Sequence, residues 1–312
     1  MGWLGWSVLV LALLLAGFAV FALWAVKTGS VATLDKIDAR FSRARPAELV
    51  TTARFGEDWH QKLRLYAPAG QAPPGGFPLV AFYHGGGWHS GDPYDYDFVA
   101  RALAARGYAT ALIGYRLNEE GKFPAMVEDS AAGLAKALAL APGHRIDPRR
   151  VVLVGHSAGA YNAAMLALDP RWLQRAGVPQ SVVAGLVGLS GPYDFYPFRW
   201  PSAKLSFGSW PSPKETQPIA FARADASPTL LLTGTADETV RPRNTVALAK
   251  ALRAAGARPE VVQIEGMSHG GPVVTLARPF DRDARVSNAL FAFLGRVFPA
   301  EPASSPVQPA KH

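Results

Sequence analysis

The 312-residue chain contains no cysteine. A disulfide framework is therefore excluded, and the compartment stays open, because reducing and oxidising environments both accept such a chain. Charge is missing just as completely between Trp3 and Val26. Elsewhere 32 Lys and Arg outweigh 24 Asp and Glu, for a formal net charge of +8. The arginines are dispersed, with no dense basic block and no recognition motif, which argues against nucleic acid as a partner. His84 and His89 lack the spacing of a zinc motif with its accompanying acid, so no metal or other cofactor is expected. No internal repeat is visible. The length, with 49% hydrophobic residues, suits one large domain with a sizeable core.

The most informative stretch is Val151-Val152-Leu153-Val154 running into Gly155-His156-Ser157-Ala158-Gly159. An apolar strand, a G-x-S-x-G turn and an alanine-rich helix pattern in that order form a nucleophile elbow. Its sharp turn exposes the serine hydroxyl, and its glycines allow close backbone approach. Upstream, the strand Leu79–Tyr83 ends in His84-Gly85-Gly86-Gly87-Trp88. Glycines there let backbone N–H groups converge on one point, as stabilising a developing oxyanion requires. The donors are assigned to Gly86, Gly87 and Ala158, with His84 bracing the loop. Downstream, Thr233-Gly234-Thr235-Ala236-Asp237 turns off the strand Pro228–Leu232, and His269 follows the strand Val261–Ile264. Serine, acid, histidine is the chain order of α/β-hydrolase triads. Ser157 is the expected nucleophile, His269 the base and Asp237 the orienting acid. Asp194, in Gly191-Pro192-Tyr193-Asp194, is a rival for the last role. His156 is expected beside the site, and Asp129 to bond backbone near the oxyanion loop. His60, His144 and His312 are expected at the surface.

On these residues the chain resembles α/β-hydrolase carboxylesterases with an H-G-G-G-W oxyanion loop, the group around hormone-sensitive-lipase-like and kynurenine-formamidase-like esterases. The resemblance also covers Gly114-Tyr115-Arg116-Leu117, Phe123-Pro124 and Asp129. It implies serine hydrolysis without naming a substrate. Gly114 stands where related chains usually carry Asp, and Asn118-Glu119 replace the usual Ala-Pro. There is no room for the large N-terminal cap of lipase-like members, so cap-dependent substrate inferences do not carry over.

The uncharged run Trp3–Val26 exceeds the roughly 20 residues that span a bilayer, and Trp3, Trp6 and Trp24 lie near its ends. A transmembrane anchor is expected there, with membrane lipid as a partner. A cleaved signal peptide is the alternative, Ser30-Val31-Ala32 resembling a cleavage site. Lys27, Lys36, Arg40, Arg43 and Arg45 follow the run and favour a cytoplasmic hydrolase domain. Residues 27–46 read as a basic juxtamembrane linker that leaves the catalytic edge free of the bilayer, and 47–298 as the catalytic domain, able to act without the anchor. Residues 299–312 read as a disordered tail rich in Pro, Ala and Ser.

Within the domain, an antiparallel strand pair from about Ala47 to Pro68 precedes alternating strands and helices, the pattern of a mostly parallel sheet covered on both faces. From Tyr196 to Ser227 the alternation lapses. A loop of that length after a sheet strand is a candidate lid. Its Phe198, Trp200, Phe207 and Trp210, with Trp88, are candidate substrate-pocket residues; alternatively they fill the core beneath the loop. The expected function is ester hydrolysis. Alternatives are a formamidase-type amide hydrolysis, polysaccharide deacylation if the domain faces outward, and a non-catalytic tethered interaction domain, which the complete set of triad residues disfavours.

Overall fold

A computed structural model describes residues 31–42 and 47–299, with scattered helical residues between Trp3 and Val20. Helix α1 (Val31–Phe41) precedes strands β1 (Ala47–Arg54), β2 (Lys62–Pro68) and β3 (Phe77–Tyr83). Then come α2 (Asp97–Ala104), β4 (Ala109–Ile113), α3 (Ala125–Leu140), β5 (Ile146–His156), α4 (Ala158–Leu168) and α5 (Pro170–Arg175). They are followed by β6 (Val183–Leu189), α6 (Pro201–Phe207), β7 (Thr229–Gly234), α7 (Arg243–Ala255), β8 (Glu260–Ile264), α8 (Gly271–Val274) and α9 (Arg285–Val297).

The eight strands form one sheet in the order β1-β2-β4-β3-β5-β6-β7-β8. The β1–β2 and β2–β4 pairs are antiparallel and the other neighbours parallel. This is the α/β-hydrolase fold. Alternation along the strands divides the core. Leu79, Ala81, Val151 and Leu153 face the side covered by α3, α4 and α7, while Val80, Phe82, Val152 and Val154 face α2 and α9. Both faces are buried because crossover helices cover a parallel sheet on both sides, so the central strands read as continuous apolar runs. After β3 the chain turns towards β4, but β5 starts a march to the other edge. The gap between the carboxyl ends of β3 and β5 is thus a topological switch point, where open α/β sheets hold their ligands.

Three expectations meet the structure differently. Much of the run proposed as an anchor lies outside the described residues, and among the described residues no helix is long and apolar enough to cross a membrane. The proposed tail also lies outside them beyond Pro299. Residues 27–46 are not simply a linker: Val31–Phe41 is a helix packed on the domain. Its Leu34 is buried in the α2–α9 core. Asp38, fully buried, accepts from Arg101 Nε at 2.6 Å and from the Arg278 N–H at 2.7 Å. Asp35 accepts from the Phe98 N–H at 2.8 Å. An amphipathic stretch bearing several charges looks solvated in sequence; buried partners from α2 and from beyond His269 make it part of the domain.

Candidate active site

Ser157 ends β5 and starts α4 with φ 54 and ψ −120, a conformation that L-residues rarely take. The turn is tight because its flanking residues are glycine. A Cβ at Gly155 would overlap the Gly159 carbonyl, and one at Gly159 would overlap the Tyr83 carbonyl at the end of β3. The Ser157 N–H donates to Leu189 O at 2.9 Å, fixing the elbow to β6.

His269 reaches the elbow from the turn between β8 and α8. Its Nε2 lies 2.9 Å from Ser157 Oγ, and its Nδ1 lies 2.8 Å from Asp237 Oδ2. Since a carboxylate only accepts, Nδ1 carries the proton and Nε2 is free to accept from the serine hydroxyl. Asp237 is buried, and its other oxygen accepts the N–H groups of Thr239 at 3.0 Å and Val240 at 2.8 Å. That cradle fixes the carboxylate in direction. Asp194 is placed otherwise: its N–H, like that of Tyr193, donates to Asn244 Oδ1 at 3.1 Å.

Gly86 and Gly87 have φ values of 123 and 60, which turn the loop after β3 towards the elbow. The Gly86 carbonyl accepts from His89 N and Ser90 N, at 3.2 and 3.1 Å. Among the described residues nothing accepts from the N–H groups of Gly86, Gly87 or Ala158. Those three donors are therefore available to a substrate oxygen. His84 braces the loop from below: it stacks on Tyr115 at 4.5 Å, donates from Nδ1 to Gly85 O at 2.7 Å, and its own carbonyl accepts from Tyr115 Oη at 2.7 Å. Burial lowers its pKa to about 4, so the ring is neutral at physiological pH.

His156 is the residue that sequence reasoning placed least definitely. It is buried, its ring centroid lies 5.0 Å from that of His269, and its Nε2 donates to the His269 carbonyl at 3.0 Å. Burial foremost, then repulsion from His269, lowers its pKa to about 3. A neutral imidazole thus holds the catalytic-loop backbone without adding charge beside the triad. Asp129 bonds backbone in the turn beside the oxyanion loop, as expected, where the Asn118 N–H donates to Trp88 O at 2.9 Å. The Asp129 carboxylate accepts from Arg116 N at 2.9 Å, from Arg116 Nε and Nη2 at 2.7 and 2.8 Å, and from Gln61 Nε2 at 2.8 Å, which secures the turn after β4.

The five aromatic pocket candidates come together in one cluster. Trp88, Phe207 and Phe198 pack in succession, at 4.8 and 5.7 Å between ring centroids, and Trp200 joins them through Phe195 at 6.2 Å. Trp210 joins through Phe123, which lies 4.9 Å from it and 6.0 Å from Phe207. Trp88 and Phe207 are 3% and 0% exposed, so they fill core rather than line open space. Phe198, Trp200 and Trp210 are half-buried at its rim. Tyr161 and Phe195, which complete the cluster, went unnoticed in the sequence, although Tyr161 stands one helical turn after Ser157. The lid candidate is partly helical, containing α6 and two short 3₁₀ turns. Among the described residues no group of three or more His, Cys, Asp or Glu side chains could hold a metal ion.

The BD-FAE family matches residues 63–252, more than half of the chain. The chain belongs to that family. This BD-FAE member is a carboxylesterase-type α/β-hydrolase of the hormone-sensitive-lipase-like group. It is 27% identical over 286 residues to a probable isoprenylcysteine alpha-carbonyl methylesterase of Oryza sativa subsp. japonica, covering 80% of this chain and 69% of the rice protein. It spans only about half the length of the two Arabidopsis thaliana methylesterases that it also matches, 55% and 49%. It is 31% identical over 146 residues to kynurenine formamidase of Danio rerio, covering 46% of each chain. Among solved structures, esterase B from Lactobacillus rhamnosis superposes with a TM-score of 0.71 at 22% identity, covering 92% of this chain and 95% of that one. At that identity the likeness is one of fold.

Proposed function

We propose that this protein hydrolyses carboxylic esters through an acyl-enzyme formed on Ser157. The observation that carries the reading is the continuous relay from Ser157 Oγ to His269 at 2.9 Å and from His269 to Asp237 at 2.8 Å. His269 Nε2 takes the hydroxyl proton as Oγ attacks the ester carbonyl. Asp237 holds the tautomer and stabilises the imidazolium. Negative charge on the carbonyl oxygen meets the N–H groups of Gly86, Gly87 and Ala158, each contributing roughly 3–4 kcal/mol in comparable sites. His269 then protonates the leaving alcohol, and water activated by the same ring releases the acid. The strained Ser157 backbone and the glycine contacts are what hold Oγ at the switch point.

A fluorophosphonate probe followed by peptide mass spectrometry tests this reading directly. The adduct is expected on Ser157, and Ser157→Ala is expected to abolish ester turnover with the fold intact. Labelling elsewhere, or near wild-type turnover in the pure variant, would sink the assignment. The similarity to kynurenine formamidase supports an amidase as the second reading. Turnover of N-formylkynurenine in preference to simple esters would decide for it.

The uncharged run Trp3–Val26 supports a single-pass anchor, long enough at about 1.5 Å per residue for a hydrocarbon core of roughly 30 Å. Lys36 and Arg40, exposed on α1, continue the basic flank, and the positive-inside rule puts the hydrolase domain on the cytoplasmic side. Resistance to carbonate extraction is expected, together with protection from protease added outside intact cells. Mature protein beginning near Thr33 would instead establish a cleaved signal.

A further inference from the structure

We infer that the catalytic mouth of this hydrolase rests on the lipid bilayer and draws amphiphilic esters from it, an inference that builds on the proposed esterase and anchor. The first observation is where the chain enters the domain. Asp35 of α1 caps the Phe98 N–H at the start of α2, the helix reached from the carboxyl end of β3 and hence from the catalytic edge. Asp38, one turn later, meets Arg101, one turn further along α2. Helix α1 therefore runs away from the catalytic edge, and β1 begins at the opposite edge, where Ala47 pairs with Pro68. The amino end of α1, Val31, lies on the catalytic side, and the uncharged run of the sequence ends only a few residues before it, at Val26. Buried Asp38 and half-buried Asp35 fix this helix, and with it the point where the chain enters the domain.

The second observation is independent of the amino terminus. From Phe195 to Lys214 the sequence has Arg199, Lys204 and Lys214 and no Asp or Glu, interleaved with Tyr196, Phe198, Trp200, Phe207 and Trp210. This segment sits over the mouth: Phe207 packs on Trp88 of the oxyanion loop at 4.8 Å, and Ser206 O accepts the Phe123 N–H at 2.8 Å. Tyr196 is 48% and Leu205 36% exposed, and Arg199 and Lys204 project outward with no acidic partner among the described residues. The neighbouring turn adds Glu119, paired with Lys122, and exposed Glu120, so the positive sign belongs to the 195–214 segment itself. Exposed aromatics with long cationic side chains are suited to the headgroup region, where rings sit at the interface and amines reach phosphate.

The absence of native cysteine makes the test direct. Single cysteines replacing Tyr196, Leu205 or, at the opposite edge, exposed Ala105 are placed in the full chain and labelled with a polarity-sensitive fluorophore. The proteins are then reconstituted in phosphatidylcholine vesicles with or without phosphatidylglycerol. Labels at 196 and 205 are expected to shift to the blue and to be quenched by brominated acyl chains, more strongly with phosphatidylglycerol, while the label at 105 stays aqueous. Arg199→Glu with Lys204→Glu should return both labels towards water and lower turnover of a vesicle-embedded long-chain ester roughly tenfold. Turnover of p-nitrophenyl acetate should stay unchanged. Labels at 196 and 205 as aqueous as that at 105 would overturn the inference. So would labels already shielded in detergent with a doubled particle mass, which would show a second copy covering the face. Failure of the unmodified chain to hydrolyse p-nitrophenyl acetate would sink the esterase reading alone, since the labels report docking without turnover.

Discussion

Asp38 Oδ1 accepts the backbone N–H of Arg278 at 2.7 Å, joining a helix that precedes the first strand to the segment that follows His269. The same carboxylate holds Arg101 through its other oxygen. Removing it leaves the Arg278 N–H unpaired, while Arg101 keeps Asp35 as a carboxylate partner. Asp38→Ala is expected to cost about 2–3 kcal/mol, since one buried donor loses its acceptor and the guanidinium loses one of its two carboxylates. In a domain of this size that lowers Tm by on the order of 10 °C, measurable by circular dichroism. A protein truncated to begin at Arg45 should be less stable still, because Leu34 and Asp35 leave with the helix. Equal Tm for the two forms would make α1 dispensable.

The triad acid is separable from its neighbour by kinetics. Asp237→Asn is expected to lower kcat by roughly 10⁴-fold, because the amide favours the wrong imidazole tautomer. Asp194→Asn should change it far less, since the Asp194 N–H, not its carboxylate, is anchored to Asn244. The reverse ranking would transfer the role.

Two helical glycines should respond in opposite directions to the same change. Gly159→Ala drives a methyl into the Tyr83 carbonyl, so little folded, active protein should be recovered. At Gly295, on α9, an added methyl would meet nothing within 4 Å, and Gly295→Ala should stabilise by roughly 0.5–1 kcal/mol through helix propensity. Denaturant midpoints measure both.

Acid should weaken the fold through its buried histidines. His156, held neutral with its pKa lowered to about 3, takes up a proton in the unfolded chain near 6.5 but not in the folded one. The unfolded state therefore binds more protons between those values, and stability falls as pH drops through that window. Each such histidine contributes a slope of up to about 1.4 kcal/mol per pH unit. His156→Gln keeps a side-chain donor for the His269 carbonyl and removes the titration. The variant should lose Tm more slowly than wild type between pH 6.5 and 4.5, and parallel curves would show that His156 does not titrate on unfolding.

Much of this molecule is legible along the chain because its logic there is local. The runs Leu79–Tyr83, Val151–Val154 and Thr229–Leu232 announce buried parallel strands, and G-x-S-x-G between strand and helix announces the elbow, since nothing but glycine fits where Gly155 and Gly159 meet backbone. The order serine, acid, histidine, with the acid in a turn after β6 or β7, leaves Asp194 and Asp237 as the rivals. Choosing between them needed the tertiary structure, because Asp194 and Asp237 both follow sheet strands and only the direction of each turn decides which reaches Nδ1. Helix α1 was hidden for a similar reason. Asp35 and Asp38 look like solvated charges until Arg101 and the Arg278 N–H, 63 and 240 positions beyond Asp38, are brought to them. The aromatic lid behaved likewise: composition identified its rings, but only packing separates Trp88 and Phe207, sealed in the core, from Tyr196 and Trp200 at the rim. Local backbone demands can be read from neighbouring residues; the partner of a polar group, and the side of a ring that faces water, are settled by contacts that exist only once the sheet has assembled.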